Sequence, residues 1–170
     1  TSDNLGVFAI SSDAKSQISD GTDLTIGQAV TTISNHMFYN LPIKTITIPG
    51  SVNTIGNNVF NGCNSLTEIT FEPSPTGESL TIGYETSGES ENLFQDYCKL
   101  TTLNLNRELI YTFGDSNINS NSEGLFGEIP TLTSVTLGDQ VKTLHKYMFA
   151  NSRITELTIP GSVTTIANDV

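Results

Sequence analysis

The chain has 170 residues, room for one ordinary domain, with 36% hydrophobic and only 15% charged residues; 24 Thr, 18 Ser and 16 Asn make up about a third of it. Those residues suit strands and turns, so a helical bundle or coiled coil is excluded. A net charge of −11, with seven scattered Lys and Arg, argues against nucleic acid or an anionic membrane as partner, and no apolar run nears the ~20 residues of a membrane span.

Residues 1–20 carry Leu5, Val7, Phe8 and Ile10 without a clear register, and read as an N-terminal capping segment or degenerate rung. No signal-peptide pattern opens the chain, as expected if Thr1 follows a processed or trimmed terminus. From residue 21 a unit recurs. Each begins with an apolar pair around one polar residue, the period-2 mark of a strand with one buried face: Leu24/Ile26, Ile46/Ile48, Ile69/Phe71, Leu103/Leu105, Val135/Leu137, Leu157/Ile159. A second apolar pair follows in most units (Val30/Ile33, Val52/Ile55, Val141/Leu144, Val163/Ile166), with Leu80/Ile82 and Leu109/Phe113 as variants. A bulky residue plus Phe closes the unit at Phe38, Phe60, Phe94, Phe126 and Phe149, and Leu41, Leu66, Leu100, Leu132 or Ile154 opens the next.

The closing Phe residues lie 22, 34, 32 and 23 apart, so the unit is 22–23 residues and two units carry insertions. One unit cannot bury its own apolar side chains, but stacked units turn each apolar position into a column. The predicted fold is a β-rich solenoid of about six rungs with parallel strands, corners at Pro49-Gly50 and Pro160-Gly161, and no more than short helical turns before each Phe.

The unit from Leu41 to Cys63, with Ile46-Thr-Ile-Pro-Gly-Ser-Val52, Ile55-Gly56, Val59-Phe60 and Gly62-Cys63, resembles the leucine-rich repeat of BspA-like bacterial surface proteins. The resemblance covers residues 20–170 and is looser in units three and four, which lack the Pro-Gly-Ser corner. It implies a leucine-rich-repeat domain over 21–170, wound as a right-handed superhelix, in a secreted or surface-anchored protein with a role in adhesion or protein recognition. It implies no catalytic residues and no cofactor.

The insertions, near 73–92 and at 115–124, leave their rungs largely at the same point, after Ile82-Gly83 and after Phe113-Gly114. Residues 84–92 and 115–124 are therefore expected to form one projecting acidic lobe, with Tyr84, Glu85, Glu89, Glu91, Asp115, Asn117, Asn119 and Glu123 as candidate binding residues; tolerated loop growth is the bland alternative. Asp115, Asn117 and Asn119 match positions 1, 3 and 5 of a calcium loop, but Ser120 and Phe126 stand where Gly and Glu are needed, so no metal is expected. The other candidate surface is the outward strand column of Thr25, Thr47, Thr70, Asn104, Thr136 and Thr158, which lacks aromatic or Arg anchors; Thr47, Thr70, Asn104 and Thr136 are its candidate binding residues.

Cys63 and Cys98 lie on consecutive rungs, so a disulfide and a buried small apolar role are both open; the resemblance favours the second. His36 and His145 sit at different offsets from their Phe residues, in polar contexts, and are expected to be exposed. No catalytic motif is present, so an enzyme is not expected. A carbohydrate-binding or spacer module of a larger surface glycan-processing protein is the alternative function, favoured if Tyr84, Tyr97 and Tyr111 share one face. The chain stops at Val170, one residue before the expected Phe, which predicts more repeats or another domain in the parent protein.

Overall fold

The computed structural model describes residues 7–8, 19–83, 93–94, 98–111 and 124–170. Twelve short strands run in chain order: β1 (Val7–Phe8), β2 (Thr22–Thr25), β3 (Thr32–Ile33), β4 (Ile43–Ile48), β5 (Thr54–Ile55), β6 (Glu68–Phe71), β7 (Leu80–Ile82), β8 (Thr102–Leu105), β9 (Leu109–Tyr111), β10 (Ser134–Leu137), β11 (Thr143–Leu144) and β12 (Thr165–Ile166). Even-numbered strands build one parallel sheet, β10-β8-β6-β4-β2, and odd-numbered strands another, β1-β3-β5-β7-β9; β11 and β12 pair separately. Each rung crosses both sheets before stacking on its neighbour. No helix occurs among the described residues.

Register places like on like. Leu24, Ile46, Ile69, Leu103 and Val135 form one inward column, and Ile33, Ile55 and Ile82 another. Phe38, Phe60, Phe94, Phe126 and Phe149 stack as a spine, with successive ring centroids 5.5 to 6.2 Å apart. That is the spacing at which aromatic rings add to the area they bury. In the fourth rung the register differs from the expected Leu109/Phe113 pairing: Leu109 lies opposite Leu80 and Tyr111 opposite Ile82. A three-residue strand with period 2 reaches Tyr111 first.

The segment around each Phe is a chain of tight turns. Within the rung, Met37 N–H donates to Ser34 O, Tyr39 to His36 O and Leu41 to Phe38 O; the residues between donate to the next rung, His36 to Asn57 O, Phe38 to Val59 O and Asn40 to Asn61 O. This alternation requires left-handed backbone two residues before and two after the Phe. His36, Asn58 and Tyr147 hold the first place and Asn40, Gly62, Glu128 and Asn151 the second, with φ between 55° and 75°. At Gly62 a Cβ would also lie 1.8 Å from Asn40 Oδ1.

The corner after β6 is enlarged, and residues 72–79 run against the stack as a strap. Gln28 Nε2 donates to Glu72 Oε2 at 3.1 Å, and a Cβ on Gly50 would strike Pro73 O. The Gln140 side-chain amide pairs with both backbone groups of Ser74, at 2.8 and 2.9 Å. Arg107, fully buried, donates from one terminal nitrogen to Gly50 O (3.2 Å) and Val52 O (2.7 Å) and from the other to Glu78 O (3.0 Å). Burial lowers its pKa, while the Glu78 charge works in the opposite direction.

Candidate functional site

The outer side of the β10-β8-β6-β4-β2 sheet is a regular surface. Side chains alternate along each strand, so Ile46 and Ile48 point inward and Thr47 outward. In-register pairing then lines up Thr25, Thr47, Thr70, Asn104 and Thr136 across five rungs, beside a column of Asp23, Thr45, Glu68, Thr102 and Ser134. The four predicted face residues Thr47, Thr70, Asn104 and Thr136 are therefore brought together. Thr158, expected to extend the column, is not, because residues 152–160 form no strand.

The face is polar and cross-linked. Thr45 Oγ1 donates to Asp23 Oδ1 at 2.8 Å, and Asn104 Nδ2 donates to both Glu68 Oε1 and Thr70 Oγ1 at 3.1 Å. Along its margin the hydroxyls of Thr67, Thr101 and Thr133 donate to carbonyls of the preceding rung, Lys44 O, Thr67 O and Thr101 O. Hydroxyls so engaged hold the rungs in register.

Exposed aromatic character lies on the turn edge instead. Tyr39, 44% exposed, meets His36 edge to face at 5.9 Å, and Lys146 Nζ sits 4.5 Å over the Tyr147 ring. His36 is exposed as expected, but His145 is half-buried: its Nε2 lies 3.0 Å from Leu109 O. The reason is a gap between β9 and β11, which do not pair. The Glu108 carboxylate also fills that gap, accepting from Lys142 N–H (2.6 Å) and Thr143 N–H (3.1 Å).

Both cysteines are free thiols. Cys63 is buried and donates to Phe38 O at 3.0 Å. Desolvation pushes it up to about 12, with a smaller contribution from Cys98, which desolvation itself raises to about 11. Such thiols are poor nucleophiles and poor metal ligands. Among the described residues no three His, Cys, Asp or Glu side chains gather as a metal site, and no helix is long and apolar enough to cross a membrane.

The expected lobe residues Tyr84, Glu85, Glu89, Glu91, Asp115, Asn117, Asn119 and Glu123 lie outside the described residues, as does Tyr97; Tyr111 is on β9. The pattern of the Pro-Gly-Ser repeats did not single out Arg107, Glu108 or Gln140. Their only trace is that rungs four and five replace the Pro-Gly-Ser corner with Asn106-Arg107-Glu108 and Gly138-Asp139-Gln140.

A family model described as the BspA type leucine rich repeat region matches residues 5–106 and 76–170, in six copies. The chain belongs to the BspA-type leucine-rich-repeat family. Two solved structures resemble this BspA-type chain. A leucine-rich repeat protein from Eubacterium ventriosum is 20% identical with a TM-score of 0.55, over 88% of this chain and 42% of that one. A leucine rich cell surface protein from Faecalibacterium prausnitzii is 22% identical with a TM-score of 0.45, over 89% of this chain and 45% of that one. The first likeness shows the repeat fold, and the chain spans less than half the length of either protein. None of the curated proteins compared with the BspA-type chain matches it.

Proposed function

We propose that this repeat stack is a non-catalytic recognition surface of a secreted or cell-surface bacterial protein, acting in adhesion or protein–protein recognition. The carrying observation is the outer sheet face, where five rungs in register present two parallel columns of Thr, Ser, Asn and acid side chains. Rungs held by cross-rung hydrogen bonds form a rigid platform, and a rigid platform loses little entropy on binding. With 18 Asp and Glu against 7 Lys and Arg, the partner surface it suits is neutral or basic. Family membership supports the surface location and the absence of chemistry.

The test is an array of matrix proteins, mucins and glycans probed with the purified chain, then with Thr47→Lys/Thr70→Lys/Thr136→Lys. A protein ligand lost in the triple variant, with its circular dichroism unchanged, supports the reading. Binding that survives the substitutions, or silence across the array, refutes it. Capture by glycans alone points to the carbohydrate-binding alternative.

A further inference from the structure

The sixth rung is seated on the fifth along two of its sides and stands off along the third. β12 pairs with β11, and Tyr147 N–H donates to Asp169 O at 3.0 Å. By contrast, Glu156-Leu157-Thr158-Ile159-Pro160, which leads into the same Thr-Ile-Pro-Gly-Ser-Val phrase at 158–163 that ends β4 at 47–52, forms no ladder with β10. It is tethered at both ends, by Arg153 N–H to Leu132 O and by Thr164 N–H to Lys142 O, each 2.9 Å. Between these tethers it arches past the edge of β10.

The slot between them measures about 500 Å³, and its lining includes Ser134, Val135, Thr136, Leu137, Glu156 and Thr158. That volume falls within the range of ligand sites, ~300–1,000 Å³. The packing records the gap. Val135 is only half-buried, whereas its column mates Ile46, Ile69 and Leu103 are at most 1% exposed. Ile159 is 45% exposed. Ser51 donates to Val30 O at 2.8 Å, yet the buried hydroxyl of its equivalent, Ser162, has no partner.

The edge facing the slot has a defined chemistry. Ser134 N–H donates to Thr101 O and Gly138 N–H to Leu105 O, so the even-numbered backbone groups of β10 serve β8. Alternation along a parallel strand then turns the N–H and C=O of Val135 and Leu137 toward the slot. No backbone group among the described residues takes them. Such an edge is complementary to an extended backbone, which alone offers donors and acceptors at the same repeat.

We propose that the slot between β10 and residues 155–160 accepts an extended peptide strand from a partner protein. Its backbone pairs with Val135 and Leu137. Its alternate apolar side chains cover Val135, Leu137 and Leu157, and its polar ones continue the outward column past Thr136. The preferred ligand therefore alternates apolar and small polar residues, as Ile46-Thr47-Ile48 does. This deepens the recognition reading, on which it rests only for the class of partner. The competing occupant is the chain's own segment 155–160, closing with Thr158 beside Thr136.

Amide hydrogen exchange read by NMR on the whole chain decides between them. The probe is a synthetic peptide with the β4 sequence Ile-Lys-Thr-Ile-Thr-Ile; its control carries N-methylated amides at alternate positions. In the free chain, Val135 and Leu137 amides should exchange rapidly while Leu103 and Leu105 stay protected. The peptide should slow Val135 and Leu137 by about tenfold or more, and the N-methylated control should not. Protection of Val135 and Leu137 in the free chain, equal to that of Leu103, means that segment 155–160 closes the slot and overturns the proposal. Rapid exchange that persists at millimolar peptide overturns it equally. Neither result touches the array experiment, which reads the outer face, so the two proposals fail separately.

Discussion

Replacing Arg107 by Met removes a buried guanidinium while keeping much of its length and volume. Three carbonyls lose their donor: Gly50 O, Val52 O and Glu78 O. A buried polar group left unpaired costs about 1–3 kcal/mol. Carbonyls tolerate this better than N–H groups, and removing a buried charge recovers part of its desolvation penalty. The net expectation is a loss of about 3 kcal/mol, which for a chain of this size lowers the melting temperature by roughly 6–12 °C. Denaturant titration followed by circular dichroism gives the global value. Hydrogen exchange gives the local one, because the Gly77 and Glu78 amides are held on Ser74 inside the strap that Arg107 anchors. Those amides should lose protection before the strands do. Gln140→Ala, which cuts the two bonds to Ser74, should couple with Arg107→Met, since both release one strap. If Arg107→Met unfolds within about 0.5 kcal/mol of the parent and leaves the strap amides protected, the clasp is a bystander and the reasoning fails.

Glu108→Ala should cost about 2 kcal/mol, because Lys142 N–H and Thr143 N–H lose the carboxylate that accepts them; Glu108→Gln, which retains an acceptor, should cost less, and denaturant midpoints check the order. The cysteines predict a pH dependence. Both ionise near 9.0 in the unfolded chain, but desolvation holds Cys63 protonated up to about 12 and Cys98 up to about 11 in the fold. Their contribution is complete below pH 9 and drains away as pH rises toward 11–12, because the unfolded chain sheds protons that the folded chain keeps. Unfolding midpoints of the parent and Cys63→Ala across that window should show a shallower decline in the variant. A thiol reagent should react with Cys63 at neutral pH only on the timescale of unfolding.

The solenoid was legible because its apolar residues recur at fixed offsets, and periodicity is a local signal. Ile46, Ile69 and Leu103 fall in one column on spacing alone, and so does the Phe spine. The outward column of Thr47, Thr70, Asn104 and Thr136 followed from the same period of two. The left-handed positions left a fainter trace: Asn and Gly recur two residues before and after Phe, at Asn58, Gly62, Asn40 and Asn151, but His36, Glu128 and Tyr147 break the pattern. Arg107 and Gln140 left no more trace than the replaced corner of their rungs, and nothing of their role. Their partners lie 29 to 66 residues away and are backbone atoms, which carry no side-chain identity to notice. The strand expected at Leu157–Ile159 of the sixth rung failed for the opposite reason. Its local code matches that of β4, but a strand is completed only by pairing, and β10 does not supply it.

The turns around the Phe spine have one more consequence. Their inter-rung bonds share a single sense, from His36, Phe38, Phe60, Phe126, Glu128 and Tyr147 N–H to a carbonyl of the following rung. The peptide dipoles of these bonds, about 3.5 D each, therefore add along the stack instead of cancelling as they do between strands. This turn edge carries aligned peptide dipoles, positive toward the later rungs, while on the other sides of the stack Gly56, Thr67, Thr101 and Gly138 N–H donate to the preceding rung. Each rung laid down extends that polarity along the turn edge, so the two ends of this edge differ in their free groups, N–H at one and C=O at the other. A neighbour that meets the end with free N–H groups is sorted by its acidity.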